Sequence, residues 1–125
     1  MKWRHARPLD AYFIQPVGMF RGIVWQFLAG TMAADMPQAH VLDTPRGPAV
    51  LIWTYLDDGG RTKVGAVVGQ AAWRAPVRVV REVRQWLDVF APGAYADPED
   101  PHPSFVRTLE VVGFRRVGDT WQWRS

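Results

Sequence analysis

Three histidines, a knot of carboxylates, a row of arginines and a pair of tryptophans are the residues of this sequence whose types suggest chemistry. His5, His40 and His102 share no metal-ligand spacing, so each reads as a single surface or core histidine. Asp97, Glu99 and Asp100 cluster between prolines. Such a cluster can act as a base or hold a metal, but the proline punctuation favours a solvated loop. Arg74, Arg78 and Arg81, spaced by four and three, share the polar face of a helix. The ordinary reading of that face is a solvated one; an acidic partner is the second. Trp121 and Trp123 alternate with Gln122 and Arg124. Alternating indoles can stack on nucleic-acid bases, or pack a sheet face onto a helix or a partner. No Ser/His/Asp arrangement and no phosphate-binding P-loop is present.

Composition narrows the classes further. A chain of 125 residues with 48% hydrophobic residues and seven Trp can bury a core within one domain spanning 1–125. The absence of cysteine excludes disulfides and thiolate zinc sites and fits a reducing compartment. No apolar run reaches membrane-spanning length, and "MKWRHARPLD" has no signal-peptide core. Thirteen of the fifteen basic residues are Arg, against twelve acidic residues. That is a mixed balance and not the basic stripe of a nucleic-acid binder.

The elements that must position these residues follow from periodicity. Trp3–Ala6 reads as a short strand, and Phe20–Ala34 as a helix with apolar residues at helical spacing. "AHVLD", "AVLIWTYL" and "TKVGAVVGQ" are short Val-rich runs, expected to form an antiparallel meander over 39–43, 49–56 and 62–69. "TPRGP" separates the first two runs. "DDGG" separates the second pair, with Asp58-Gly59 supplying the freedom of a tight turn. Residues 76–90 form the clearest helix. Val79, Val80, Val83, Trp86, Leu87 and Phe90 make its apolar stripe, Pro76 opens it and Pro92-Gly93 ends it. "AYADPEDPHP" holds a short strand and a Pro-rich loop and precedes a second helix, "PSFVRTLEVV", with Phe105, Leu109 and Val112 on one side. Gly113 suits the left-handed position after that helix, and Phe114 the hydrophobic position that folds back. Val117-Gly118-Asp119-Thr120 reads as a hairpin turn before the strand "TWQWR".

Strand, helix, three-stranded meander, long helix, short strand, helix, "GF" and hairpin is an order that resembles the GCN5-related N-acetyltransferase (GNAT) fold. "RHARPLDA" looks like the family's opening strand with its Arg-Pro…Asp turn, and "FVRTLEVVGFRRVG" like its fourth helix ending in Gly-Phe. The chain looks most like the small, diverged GNAT-like proteins of short-tailed phages, some of which belong to the virion's internal or tail machinery. The resemblance implies an α/β fold: a mixed central sheet with the meander, flanked by helices.

It also implies a site. In active members the third meander strand runs into a Gln/Arg-x-x-Gly-x-Gly/Ala loop, whose backbone N–H groups and following helix N-terminus cradle the acyl-CoA pyrophosphate. The loop aligned with it is Gln70-Ala71-Ala72-Trp73-Arg74-Ala75, followed by Pro76. Gln70 and Ala75 match, Trp73 replaces the central Gly, and Pro76 removes a donor. The family's Tyr, which often protonates the leaving thiolate, aligns with Leu109, and its usual Asn with His102. Glu110 matches a Glu that is generally structural.

Two function classes follow. The first is a structural or docking protein on a GNAT-like scaffold, a phage virion component, with no cofactor and with other proteins or copies of itself as partners. Arg74, Arg78, Arg81, Trp121 and Trp123 are its interaction candidates. The second is an acyl-CoA-dependent N-acetyltransferase acting on a primary amine. There acetyl-CoA would sit against Gln70, Ala71, Ala72, Trp73, Arg74, Ala75 and His102. The location expected is host cytoplasm or virion if the chain is viral, and cytoplasm otherwise, with neither membrane nor nucleic acid as a partner.

Overall fold

A computed structural model describes residues 1–7, 10, 38–97 and 103–124. The expected helix Phe20–Ala34 lies outside the described residues, as do His102, Glu99, Asp100 and the Phe105 side chain.

The described strands are β1 (Lys2–His5), β2 (Ala39–Thr44), β3 (Gly47–Leu56), β4 (Thr62–Val68), β5 (Tyr95–Ala96), β6 (Arg115–Val117) and β7 (Thr120–Gln122). The described helices are α1 (Pro76–Phe90) and α2 (Pro103–Val112), with a short 3₁₀ helix over Gln70–Arg74. The strands make one mixed seven-stranded sheet in the order β1-β2-β3-β4-β5-β7-β6. β5 runs parallel to β4, whereas β1–β2, β2–β3, β5–β7 and β6–β7 are antiparallel. The α/β class and the three meander strands form where the Val-rich runs place them.

The chain divides into two compact units, residues 1–53 with 65–76, and residues 54–64 with 77–125. The β3–β4 hairpin contributes to both.

In the first unit, Val41, Leu42, Val50, Leu51 and Ile52 are buried. Successive strand residues face opposite ways, so burial of Leu51 and Ile52 together means that both faces of β3 are covered. This explains why the run is continuously apolar instead of alternating. The β2–β3 turn is held by Thr44, whose Oγ1 accepts from the Arg46 N–H at 3.2 Å and donates to the Gly47 carbonyl at 2.8 Å. Trp53 packs against Gly65: a Cβ there would come within 2.3 Å of the indole, so only glycine leaves the ring this place. The Arg7–Asp10 turn closes through two bonds, Asp10 N–H to the Arg7 carbonyl at 2.9 Å and Arg7 N–H to Asp10 Oδ2 at 2.6 Å. Arg4 then grips Asp10 with two guanidinium nitrogens, at 2.9 and 2.7 Å, and also binds Asp43. Burial pushes the Asp10 carboxyl up, but Arg4 and the Arg7 N–H outweigh it and hold the group below the ordinary carboxylate range.

The second unit begins at the tip of the β3–β4 hairpin. Asp57 N–H donates to the Arg61 carbonyl at 2.9 Å and Gly60 N–H to the Asp57 carbonyl at 3.0 Å. The positive φ falls on Gly60 (78°), not on the Asp58-Gly59 pair that the sequence suggests. The loop between the paired Asp57 and Arg61 holds three residues and closes on a left-handed glycine, instead of a two-residue turn. α1 buries Val79, Trp86 and Leu87, while Val80, Val83 and Phe90 of the same stripe are half-buried. Full burial of side chains such as Trp86 and Leu87 stabilises by roughly 1.5–3 kcal/mol each. α2 ends as its sequence demands. Leu109's carbonyl accepts from both Gly113 N–H (3.0 Å) and Phe114 N–H (2.9 Å), with Gly113 at φ 117°.

Candidate functional site

The segment after β4 is set by a handover between strand and helix. Gly69 is extended (φ −89°, ψ 165°) and its N–H donates to the Ala49 carbonyl at 2.7 Å, the last tie to β3. The chain then tightens into the 3₁₀ helix Gln70–Arg74. With three residues per turn, positions i and i+3 eclipse. Ala72 takes the buried position. Gln70 and Trp73 fall together on the outer side, where Gln70 is exposed and Trp73 keeps 64% of its surface accessible. Ala71 and Ala75 are half-buried and Arg74 is exposed.

This geometry decides what the turn can offer an anion. A phosphate cradle needs free, convergent backbone N–H groups. Here the Ala72 N–H donates to the Gly69 carbonyl at 3.1 Å, and the Ala75 N–H to the Ala72 carbonyl at 3.4 Å. Pro76, the first residue of α1, has no N–H to give. The central position carries an outward indole where a phosphate would need open space. No acidic residue lies in the first turn of α1, where Arg78 stands exposed, with Arg81 exposed in the next turn.

Two sequence expectations change at this point. Arg74 does not share a helical face with Arg78 and Arg81. Ala75 (φ −147°, ψ 62°) breaks the chain between the 3₁₀ helix and α1, so the spacing of four has no helical meaning across it. Trp121 and Trp123 are not an exposed contact pair either. They are 8% and 2% accessible. Trp123 donates its Nε1–H to Asp88 Oδ1 of α1 at 3.0 Å and packs its ring 5.3 Å from that of Phe114. Arg124 binds the same carboxylate through Nε at 3.1 Å and Nη2 at 2.9 Å, and lies against the Trp123 ring. Arg124, with Trp123 assisting, holds Asp88 below the ordinary carboxylate range. The alternation in "TWQWR" therefore marks an inner sheet face packed on a helix. At the aligned Tyr position Leu109 is half-buried, and Glu110 is exposed.

The fold assembles three groupings that sequence reading does not. Asp57, taken from sequence as a turn residue, accepts the Tyr95 O–H at 2.6 Å as well as the Gly59 and Arg61 N–H groups at 2.9 and 2.8 Å. Arg61 stacks 4.3 Å from the centre of the Tyr95 ring. Tyr95 and the Arg61 N–H hold the Asp57 carboxyl down, and Asp57 in turn pushes the Tyr95 phenol up to about 12. The second grouping is Arg4 with Asp10 and Asp43. The third is His5 with His40, opposite each other on β1 and β2 with ring centres 4.7 Å apart. The Asx-type "DDGGR" turn hints at the first. The other two depend on strand register, which spacing along the chain does not reveal.

Among the described residues no cluster of three or more His, Cys, Asp or Glu side chains could hold a metal ion, and no helix is long and apolar enough to cross a membrane. No protein-family model matches the chain, and no curated protein matches it in sequence.

Proposed function

We propose that this chain is a single GNAT-like domain over residues 1–125 whose acyl-CoA loop has lost its ligand, and that it works as a structural or docking protein, in a phage virion. One observation carries the loss of the ligand: the Trp73 indole stands exposed at the position of the family's central glycine, on a turn whose Ala72 and Ala75 amides are already bonded. The fold assignment rests on the order of elements, on the Arg7–Asp10 turn after β1 and on the Gly113-Phe114 ending of α2. The virion setting rests on the resemblance to small phage proteins. A fold persists when its site decays, because packing and chemistry are carried by different residues.

Docking on this reading uses the exposed residues left after Trp121 and Trp123 are taken into the core. These are Trp73 and Arg74 on the 3₁₀ turn, and Arg78 and Arg81 on α1. Indole and guanidinium groups are the side chains most enriched at the energetic centres of protein interfaces.

Gln70 and Ala75 keep the identities of the family's loop. On that observation the alternative is an acyl-CoA-dependent N-acetyltransferase acting on a primary amine. Incubation with acetyl-CoA and a panel of primary amines separates the two. The docking reading expects thiol release no faster than in the protein-free blank; amine-dependent release that follows protein concentration establishes the alternative.

A further inference from the structure

We propose that His5 and His40 form a two-imidazole site for a late first-row divalent ion, with copper(II) held most tightly.

The two residues are direct partners in the β1–β2 register. The Ala6 N–H donates to the Ala39 carbonyl at 2.8 Å, so the neighbouring 6/39 pair is hydrogen-bonded. Antiparallel pairs alternate, and 5/40 is therefore a non-hydrogen-bonded pair, the kind in which Cα atoms approach to about 4.5 Å and side chains lie closest. The rings are 4.7 Å apart and inclined by 34°. An ion bound to one nitrogen of each ring sits ~2.0–2.1 Å from that nitrogen. Two such arms spanning this ring separation meet near a right angle, which suits cis positions of the tetragonal N,O geometry of copper(II) and nickel(II).

The surroundings fit the same ligand. His40 is buried, which fixes one arm, and His5 is exposed, which gives the ion an entry path and lets the second ring turn toward it. A metal ligand must be a neutral imidazole, and burial, together with His5, holds His40 below the ordinary histidine range. The Arg4 guanidinium, next along β1, is engaged by Asp10 and Asp43; alternation along the strand directs it to the opposite face. Among the described residues no third ligating side chain joins the pair.

Titration of the full chain with copper(II) chloride, followed by calorimetry and by EPR, tests this. The expected result is one tight copper(II) per chain with two equatorial imidazole nitrogens, and binding in the order copper(II) above nickel(II) and zinc(II). Joining two weak ligands in one chelate gains about 10²-fold or more, so His5→Gln should weaken binding by that factor and leave one imidazole nitrogen in the spectrum. His5 is exposed, so this variant should keep its fold, checked by circular dichroism. Zinc(II) titration of histidine-labelled protein gives an independent reading, in which both ring signals move in the same one-to-one step. Binding that His5→Gln leaves unchanged, a single-nitrogen spectrum in the wild type, or a zinc(II) step that moves only one of the two rings would overturn the proposal.

Discussion

The α2–Gly113–Phe114 junction and the Gln70–Ala75 turn are both places where a helix meets a strand, and they have been treated in opposite ways. At the junction every residue satisfies a local demand. Gly113 adopts φ 117°, the Leu109 carbonyl accepts from the Gly113 and Phe114 N–H groups, and Phe114 is buried against Trp123. At the turn the largest side chain available is exposed, and the Ala72 and Ala75 amides donate to carbonyls three residues back. The first region is constrained by packing, where a lost contact costs stability at once. On the proposed reading the second would answer to a ligand alone, and without that ligand its residues are free to change. The lesson is that architectural positions and ligand positions of one scaffold diverge separately.

The comparison predicts unequal responses to truncation. Phe114→Ala should cost about 3–5 kcal/mol, the range for emptying a packed aromatic site, whereas Trp73→Ala should stay within ~0.5 kcal/mol, as surface changes do. Urea unfolding of the two variants side by side measures this, and equal losses would erase the distinction.

Gly113→Ala should have a smaller effect, of roughly 1–2 kcal/mol, because a left-handed backbone is disfavoured for any residue with a Cβ. That Cβ would also meet Arg84 Nη2 at 3.3 Å and the Trp123 ring at 3.4 Å. A neutral result would mean that the turn relaxes instead of holding its shape.

The third effect concerns pH. His40 is held below its ordinary value of 6.5 by burial first and by His5 second. The unfolded chain then binds more protons than the folded one in this range, so stability rises with pH. The contribution is fully present above 6.5 and is lost as pH falls through the lower folded value. The carboxylates Asp10, Asp57 and Asp88 add a separate loss further into acid, since each is held below 3.8. Melting temperature should therefore fall from pH 7 toward pH 5, and less steeply in His5→Gln, which lacks the neighbouring ring. An unchanged slope in that variant would remove His5 as a cause.

Much of this was legible in the sequence where a local rule governs. The Val-rich runs marked β2, β3 and β4, Pro76 and Gly93 bounded α1, and Gly113-Phe114 closed α2. Legibility ended where distant segments decide. The burial of Trp121 and Trp123 depends on α1 supplying Asp88, and period-two alternation cannot say whether a face looks inward or outward. The separation of Arg74 from Arg78 and Arg81 turns on a single backbone break at Ala75. The Tyr95–Asp57 bond and the His5–His40 pair arise only once strands are in register.

The central proposal is that the Gln70–Ala75 turn does not hold acyl-CoA, and isothermal titration of the purified chain with acetyl-CoA tests it most directly. The account predicts no saturable binding up to ~100 μM, a concentration that corresponds to about −5.5 kcal/mol and is weak for so large a ligand. Micromolar, one-to-one binding that weakens when the Gln70 side chain is removed would contradict it.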